Sequence, residues 1–219
     1  MMLYDAAGPN PRVVRMFLLE KGLDLPTHVM VLGTGENRSP AHLARNPLGQ
    51  VPVLETDDGS CIAEATAICD YLEELHPEPP LVGRSAEQRG ETRMWTRRVD
   101  LMVCEPAMYG LRFSPVGAKL LGGRFPTEPR AAQAMKDIAR ENLGWFDGQL
   151  SGRRFLCGER FSLADVLLYC FLDYAISVGQ SLQPEWVALA GWYTRTGERP
   201  AAAASLESRV NSMALSGTV

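Results

Sequence analysis

Short apolar runs alternate with stretches of helical spacing at the start of the chain, and this pattern predicts a mixed α/β unit. Apolar and β-branched residues indicate strands over residues 2–4 and 27–32. Between these strands, apolar side chains recur at the spacing of a helix as far as Gly22, a residue type that commonly ends helices. Ser39 and Pro40 are typical of a helix start, so a short second helix is expected there.

The remainder of this unit has the pattern of a hairpin followed by a helix. Residues 51–56 and 60–63 indicate two strands, and the Asp-Asp-Gly sequence between them is typical of a tight turn. A helix is predicted over residues 64–75. The order of these elements, βαβ-α-ββα, is that of a thioredoxin-like domain, which we expect over residues 1–76.

From residue 77 onward the pattern indicates helix almost throughout. Three prolines within residues 76–80 exclude helix locally, so residues 77–86 are expected to form a stiff linker. A second, all-α C-terminal domain is expected over residues 87–219. Helical spacing of apolar residues predicts helices over 87–109, 128–150 and 163–177, and further helix after residue 184.

Composition and charge narrow the class of partner. The chain of 219 residues has 22 basic and 26 acidic side chains, a net charge of -4, which argues against nucleic acid or an anionic membrane as the main partner. The most apolar stretch, residues 161–178, carries Asp165 and Asp173 and is therefore interpreted as a buried helix. The first twelve residues lack the basic start and apolar run of a signal peptide, so we expect a cytoplasmic protein.

The cysteines and histidines indicate neither a disulfide scaffold nor a metal site. Five cysteines are scattered along the chain without a CxxC pair, and there are three histidines. We expect buried or incidental thiols and no bound metal.

The loop Gly8-Pro9-Asn10-Pro11 lies between the first strand and the first helix, where a thioredoxin-like redox protein would carry its CxxC. The two outer positions are Gly8 and Pro11, so this protein has no dithiol of its own there. Any thiol chemistry in the loop must use a thiol supplied by the ligand. A helix N-terminus suits a thiolate, because it presents unpaired N–H groups and a partial positive charge.

Two further segments have features of a site for an extended peptide. In the sequence Asn-Pro-Leu-Gly-Gln-Val-Pro-Val-Leu, residues 46–54, Pro52 begins a strand without an N–H to donate. In thioredoxin-like folds this proline is cis, and Val51 then offers its N–H and C=O to a peptide ligand. Glu64 and Ala65 open the next helix. Their N–H groups suit a carboxylate and the Glu64 side chain suits an ammonium, which together match a γ-glutamyl group.

These three segments together resemble the glutathione transferase family, whose motifs have the form NPxGxVPxL followed by a strand and ES-x-AI, with a helical domain behind. Residues 158–165 are similar to the late helix start of the family, (F)S-x-AD, which is physically a capping box between Ser162 and Asp165. The resemblance spans essentially the whole chain. It implies a homodimeric protein that binds glutathione as a co-substrate and needs no metal.

The chain departs from the family at the position that faces the glutathione sulfur. The usual serine falls on Gly8, and Tyr4 is expected in the core. Asn10 matches the position where beta-class members carry Cys and nu-class members carry Asn. The resemblance therefore assigns Asn10 as the catalytic residue, whose amide would donate a hydrogen bond to the thiolate. The alternative is that Asn10 only shapes the turn.

The other site residues follow from the same motifs. Gln50 would reach the glycyl carboxylate, Val51 and Pro52 would hold the peptide backbone, and Glu64 and Ala65 would hold the γ-glutamyl group. At the last of these positions the family usually has Ser, so one hydrogen bond to the carboxylate is lost. The alternative for Gln50 is a turn residue that faces solvent.

The second substrate is expected between the domains, against the first helices of the second half. The candidate contacts are Met108, Tyr109, Arg112 and Phe113, together with Leu111, and the alternative is that each belongs to ordinary helix packing. Four further apolar positions are expected in the core or in a dimer interface: Met94, Trp95, Val99 and Leu101.

The function implied by the resemblance is a glutathione transferase that activates the glutathione thiol for conjugation to an electrophilic small molecule, a detoxification reaction. One alternative is a glutathione-dependent disulfide-bond reductase of nu-class type, which Asn10 favours. The other is a non-catalytic transferase-like binding module, which Gly8 and Ala65 favour. A CxxC redox protein is excluded by Gly8 and Pro11.

Overall fold

The computed structural model describes residues 1–121 and 124–206, which form two compact units. The first unit contains Met1–Arg84 together with residues 197–206, and the second is Ser85–Thr196. The predicted division at residue 76, with a linker over 77–86 and a domain over 87–219, stays a prediction.

The first unit is built on a four-stranded sheet with the order β2-β1-β3-β4. The strands β1 and β2 are parallel, whereas β3 is antiparallel to both β1 and β4. This mixed sheet with its helices confirms the thioredoxin-like fold class. The elements are β1 (Met2–Asp5), α1 (Pro9–Lys21), β2 (Thr27–Val29), α2 (Pro40–Arg45), β3 (Val53–Glu55), β4 (Cys61–Ala63) and α3 (Ala65–Leu75).

Local signals explain where these elements begin and end. Gly22 ends α1 with a φ of 64°, and the Oγ of Ser39 accepts a hydrogen bond from the N–H of His42 at the start of α2. The predicted extension of β2 to residue 32 is wrong. The chain turns there into a short 3₁₀ helix, Leu32–Thr34, which ends at Gly35 with a φ of 75°.

Apolar side chains of the sheet and of α1 and α3 form the core of the first unit. β1 buries alternate residues, whereas β3 buries both Val53 and Leu54; α3 packs against β3 and against α1. The largest fully buried side chains here are Leu3, Met16, Phe17, Leu54, Ile68 and Leu72. A last helix, α10 (Pro200–Ala204), packs against α1, and the Arg12 side chain donates hydrogen bonds to Ser205 Oγ and to the carbonyl of Ala202, each at 3.2 Å.

Among the described residues of the second unit the regular elements are helices, and the only β pairing consists of isolated bridges between Phe155 and Gly158 and between Cys157 and Arg160. The predicted all-α class is confirmed. Its helices are α4 (Ala86–Val99), α5 (Glu105–Arg112), α6 (Pro115–Leu120), α7 (Pro129–Leu150), α8 (Leu163–Ser177) and α9 (Val187–Gly197). Across the described residues, none of the helices combines the length and the apolar character needed to cross a membrane.

The helix predicted over residues 87–109 is interrupted by a wider π-helical segment, Asp100–Cys104. Pro106 explains the break, because it has no N–H to donate to the carbonyl of Met102. The side-chain amide of Asn142, 40 residues away in the sequence, donates to this carbonyl at 2.7 Å instead. A partner so distant could not be identified from local sequence.

The predicted capping box at the start of α8 is confirmed. Both the backbone N–H and the hydroxyl of Ser162 donate to Asp165 Oδ2, at 3.0 and 2.9 Å. The other carboxylate oxygen, Oδ1, accepts from the N–H of Leu156 and from the indole of Trp192, each at 2.9 Å. Asp165 is fully buried, and burial raises its pKa to about 6 although all four hydrogen bonds favour the charged form.

Candidate functional site

The register of the sheet brings the predicted ligand-binding segments to one end of the strands. In the last paired row, Val53 of β3 lies between Tyr4 and Ala63. Pro52 precedes this row and Glu64 follows it, while the loop that leads to α1 continues from the same end of β1. Because the strands pair in this register, segments separated by about 55 residues in the sequence meet at one edge of the first unit.

Asn10 lies in the first turn of α1, and its side chain is half-buried. Among the described residues, neither its side-chain amide nor its backbone N–H has a hydrogen-bond partner. Pro9 and Pro11 have no N–H, and the N–H of Arg12 donates to the carbonyl of Gly8 at 3.2 Å. In this turn, the backbone donor left without a partner is therefore the N–H of Asn10. We had expected the helix terminus to offer several such N–H groups.

Gly8 precedes α1 with a φ of 135° and a ψ of 167°, a backbone conformation that side chains of L-residues rarely adopt. A Cβ atom at this position would lie 3.9 Å from the Cδ of Pro11, an ordinary contact. Backbone conformation rather than lack of space therefore accounts for glycine where the family commonly has serine.

The expectation that Tyr4 lies in the core is wrong, because its side chain is only half-buried. Its hydroxyl donates to Glu55 at 2.9 Å, and the Arg45 guanidinium lies 4.4 Å from the centre of its ring. Burial raises the pKa of Tyr4, and the hydrogen bond to Glu55 raises it further by a smaller amount. This hydroxyl is committed to Glu55 and is not a candidate for the thiol.

Asp5 and Arg15 anchor the start of the loop, and we did not single them out in the sequence. Asp5 is buried, and its Oδ1 accepts from Arg15 Nη1 at 2.6 Å and from the N–H of Ala6 at 2.9 Å. Arg15 also donates to the carbonyls of Ala6 and Ser205. A charged residue at the end of a buried strand is the signal that could have identified this pair.

The Val51–Pro52 peptide bond is cis, as predicted. In the part of the chain that the structure describes, the N–H and C=O of Val51 have no hydrogen-bond partner, and the residue is half-buried. The side chain of Gln50 likewise has no recorded partner there, whereas its backbone carbonyl accepts two hydrogen bonds from side chains. An unpartnered donor and acceptor on one residue have the geometry that pairs with an extended peptide.

Glu64 precedes α3 with a φ of 71°. Among the described residues it is the only one with a positive φ that is not glycine. Such a conformation costs about 1–3 kcal/mol and is found mainly where surrounding structure or function requires it. The Glu64 side chain is exposed and has no recorded partner in the described chain. Ala65 is buried at the first position of α3, where backbone N–H groups are left without helical acceptors.

The cysteines and acidic residues form no metal centre among the residues that the structure describes. None of the five cysteines forms a disulfide within the described chain, and four of them are buried. Burial raises the pKa of Cys61 and Cys157, and raises that of Cys104 well above its ordinary value.

The second unit contains a cavity of about 390 Å³ between α5, α7 and α8. Met108 and Leu111 line it, as do the apolar Phe171 and Ala175. The other predicted second-substrate contacts are not among its lining residues: the rings of Tyr109 and Phe113 stack with their centres 5.7 Å apart, and the Arg112 guanidinium lies 5.3 Å from the Tyr109 ring.

Comparison with known proteins supports the resemblance over both halves of the chain. Residues 3–80 match the family model "Glutathione S-transferase, N-terminal domain", and residues 111–200 match "Glutathione S-transferase, C-terminal domain". Glutathione S-transferase 2 of Saccharomyces cerevisiae is 35% identical over 217 residues, 97% of this chain and 92% of that protein. Glutathione S-transferase F10 of Arabidopsis thaliana is 31% identical, over 84% of this chain and 86% of that protein.

The fold agrees with this match. The crystal structure of Gtt2 from Saccharomyces cerevisiae superposes with a TM-score of 0.86 at 33% identity, covering 94% of this chain and 100% of that one. Similarity in sequence and in fold thus extends over nearly the full length of both proteins. The chain belongs to the glutathione S-transferase family.

Proposed function

We propose that this protein is a glutathione transferase, which binds glutathione at the strand ends of its first unit and activates the thiol for conjugation. The observation that carries the proposal is the pair of unpartnered backbone groups on Val51, at the same edge as Asn10, Glu64 and Ala65. The transferases with which the chain shares about a third of its residues favour this function over the disulfide-reductase and binding-module alternatives.

Each part of glutathione has a candidate partner at this edge. The cysteinyl backbone would pair with Val51, next to Pro52, and the glycyl carboxylate would accept from the Gln50 side chain. The γ-glutamyl carboxylate would lie at the N–H of Ala65, and the ammonium would pair with the Glu64 carboxylate. The tripeptide would then be held at both charged ends with its thiol free to reach α1.

The thiol is proposed to be activated by Asn10, whose amide donates a hydrogen bond to the sulfur. A cysteine-type thiol has a pKa of about 8.5, and lowering it by ~2 units requires about 2.7 kcal/mol in favour of the thiolate. One hydrogen bond to a charged acceptor supplies about 1.5–3 kcal/mol, and the helix N-terminus about 0.3–1 kcal/mol more. Asn10 could donate from its side chain and its backbone, so one residue is sufficient.

In the reaction itself, the bound thiol releases its proton to solvent, and the thiolate sulfur then uses its electron pair to form a bond to an electrophilic carbon of the second substrate. A leaving group departs with the electron pair of its own bond, or a proton from solvent completes an addition. The protein contributes by stabilising the thiolate and by holding the two reactants together, and no side chain becomes covalently attached.

The experiment that tests this function combines binding with product analysis. Calorimetric titration of the purified protein with glutathione should give one site per chain, and incubation with chlorodinitrobenzene should give the glutathione conjugate in mass spectra. A Glu64→Gln variant should bind glutathione about tenfold more weakly, because the ammonium loses its charged partner. Failure to bind at millimolar glutathione would rule out the proposed function.

For the second substrate, we propose that its apolar part occupies the cavity bordered by Met108. Met108→Ala should raise the KM for the electrophile and leave the Kd for glutathione unchanged. A Tyr109→Ala variant is the matched control, since Tyr109 lies on the same helix and does not line the cavity. Equal effects of the two substitutions would argue against this assignment.

We further propose a homodimer in the cytoplasm, as the family resemblance implies. Of the four positions predicted for a core or an interface, Trp95 and Val99 are buried within the second unit, whereas Met94 and Leu101 are 41% and 47% exposed. Exposed apolar side chains are available for a symmetric contact. Sedimentation of the protein and of a Leu101→Glu variant would test the assembly, with a monomeric wild-type protein as the contrary result.

A further inference from the structure

The loop that precedes the cis proline is held by side chains from the segment before it. Three consecutive backbone carbonyls of the loop accept hydrogen bonds from such side chains. Arg38 Nη1 donates to the carbonyl of Leu48 at 2.8 Å, and Asn37 Nδ2 donates to that of Gly49 at 2.7 Å. The third carbonyl, on Gln50, has two donors. The loop backbone is thus fixed as far as the residue before Val51.

The carbonyl of Gln50 accepts from His42 Nε2 and from Asn46 Nδ2, each at 3.0 Å. Both donors are buried, with 1% and 5% of their surfaces exposed. Because a carbonyl oxygen only accepts, Nε2 of His42 must carry the hydrogen. The other ring nitrogen, Nδ1, is buried and has no partner among the described residues. Within the described chain, the hydrogen bond to Gln50 is therefore the only polar contact that this imidazole makes.

Planarity of the peptide unit links this hydrogen bond to Val51. The C=O of Gln50 and the N–H of Val51 belong to one trans peptide plane, in which the two groups point in opposite directions. A carbonyl held toward α2 by His42 and Asn46 therefore directs the N–H away from α2. This N–H has no partner in the described structure and is the donor assigned above to the ligand.

We propose that His42 and Asn46 are positioning residues for glutathione, which orient the Val51 N–H before the ligand arrives. The inference rests on the proposed function, because it concerns the same binding edge. Its energetic basis is preorganisation: a peptide plane that is already fixed loses little freedom when the cysteinyl backbone binds. Neither side chain needs to touch glutathione, so sequence motifs for ligand contact do not include His42.

Substitutions at position 42 can separate the hydrogen bond from the packing of the ring. The His42 ring meets the Tyr4 ring edge-on, with centres 6.2 Å apart. His42→Phe keeps an aromatic ring and removes the donor. His42→Gln restores an N–H at the distance of Nε2, whereas His42→Asn carries the same amide on a side chain too short to reach the carbonyl. The two amide variants are thus matched in chemistry and differ in reach.

The test is the Kd for glutathione, measured by calorimetry for the wild-type protein and the three variants, with urea unfolding of each as the stability readout. We expect His42→Phe and His42→Asn to weaken binding about five- to tenfold, as the loss of one hydrogen bond does, and His42→Gln to restore most of it. The thiol pKa of bound glutathione should be the same in all four proteins, because Asn10 is unchanged.

The outcomes separate the inference from the function on which it rests. Absence of glutathione binding by the wild-type protein would overturn the proposed function. Wild-type binding with an unchanged Kd in both His42→Phe and His42→Asn would overturn the positioning role and leave the function intact. Equal weakening by Gln and Asn would show that reach does not matter, which also overturns it. If His42→Phe does not fold, the comparison of the Kd values of His42→Gln and His42→Asn is sufficient to test the positioning role.

Discussion

At the scale of single residues, the loop before α1 depends on what Gly8, Pro9 and Pro11 leave available. The prolines remove two backbone donors from the first helical turn, and the positive φ of Gly8 excludes an unstrained serine. Asn10 is left with an unpartnered side chain and N–H among the described residues. The family resemblance implied a role for Asn10, whereas the reason for glycine at position 8 needed the backbone angles.

Gly8→Ser is expected to destabilise the protein by about 1 kcal/mol or more, because a side chain there must adopt a φ of 135°. It should not increase the conjugation rate, although it creates the residue type that many relatives use. Urea unfolding and the rate with chlorodinitrobenzene measure the two effects. A serine variant that is both stable and faster would contradict the interpretation of this loop.

Ala65→Ser is expected to strengthen glutathione binding about fivefold, because the new hydroxyl adds a hydrogen bond of about 1 kcal/mol to the γ-glutamyl carboxylate. The matched control is Ala67→Ser, an exposed position in the first turns of the same helix. The measurement is the calorimetric Kd for glutathione of each variant, compared with that of the wild-type protein. No gain at position 65, or the same gain at both positions, would argue against a carboxylate at the start of α3.

At the scale of elements, local signals predicted helix ends well and long-range constraints poorly. The bounds of α8 were predicted at Leu163 and Ser177, because the capping box specifies where this helix starts. The start of α6 was missed although Ser114 caps it in the way that Ser39 caps α2. Pro106 explains the break between α4 and α5, but the donor that replaces its missing N–H at the Met102 carbonyl is Asn142, which no local pattern connects to Met102.

A buried ion pair that was also not predicted connects the ends of α1 and α3. Lys21 Nζ lies 2.6 Å from Glu73 Oε2, and both side chains are almost completely buried. The ammonium also donates to the carbonyls of His76 and Pro79, each at 2.7 Å. Glu73 Oε1 accepts from the N–H of Val82 at 2.8 Å. The pair therefore fixes the segment after α3, for which the sequence predicted only a linker stiffened by its prolines.

Lys21→Met is expected to lower the free energy of unfolding by about 3–5 kcal/mol, because it leaves the carboxylate of Glu73 buried without a counter-charge. The double variant Lys21→Met, Glu73→Gln should lose less than the sum of the two single losses, since it removes the uncompensated charge. Urea unfolding of the four proteins measures this coupling. Additive losses would show that the two side chains do not act as a pair.

At the scale of the whole molecule, the general fold could be predicted from sequence more fully than the site. Alternation of apolar residues and three motifs were enough for the α/β and all-α classes, because these depend on local periodicity. The orientation of Val51 depends on His42 and Asn46, and the start of the loop depends on Asp5 and Arg15. Such contacts join distant residues, so they become visible only when the chain is folded.

Global stability should carry a pH dependence from Asp165, the buried carboxyl of the second unit. Burial raises its pKa from 3.8 to about 6. Between these values the folded chain holds a proton that the unfolded chain has released, so the contribution of Asp165 to stability falls as the pH rises from about 4 to about 6, by about 3 kcal/mol in total.

Urea unfolding across this pH range, compared between the wild-type protein and Asp165→Asn, isolates the effect. The variant should be less stable, because its amide cannot accept all four hydrogen bonds, and it should lack this component of the slope. The same slope in both proteins would assign the pH dependence to other groups.

The central claim, that Asn10 activates a bound thiol, is tested most directly by the thiolate absorbance of bound glutathione as a function of pH. The account predicts a thiol pKa about 2 units below the free value of about 8.5 in the wild-type protein. It predicts a value at least one unit higher in Asn10→Ala, and higher still in Asn10→Asp, where a negative charge faces the sulfur. An ordinary thiol pKa in the bound wild-type complex, or the same lowered pKa in Asn10→Ala, would contradict it.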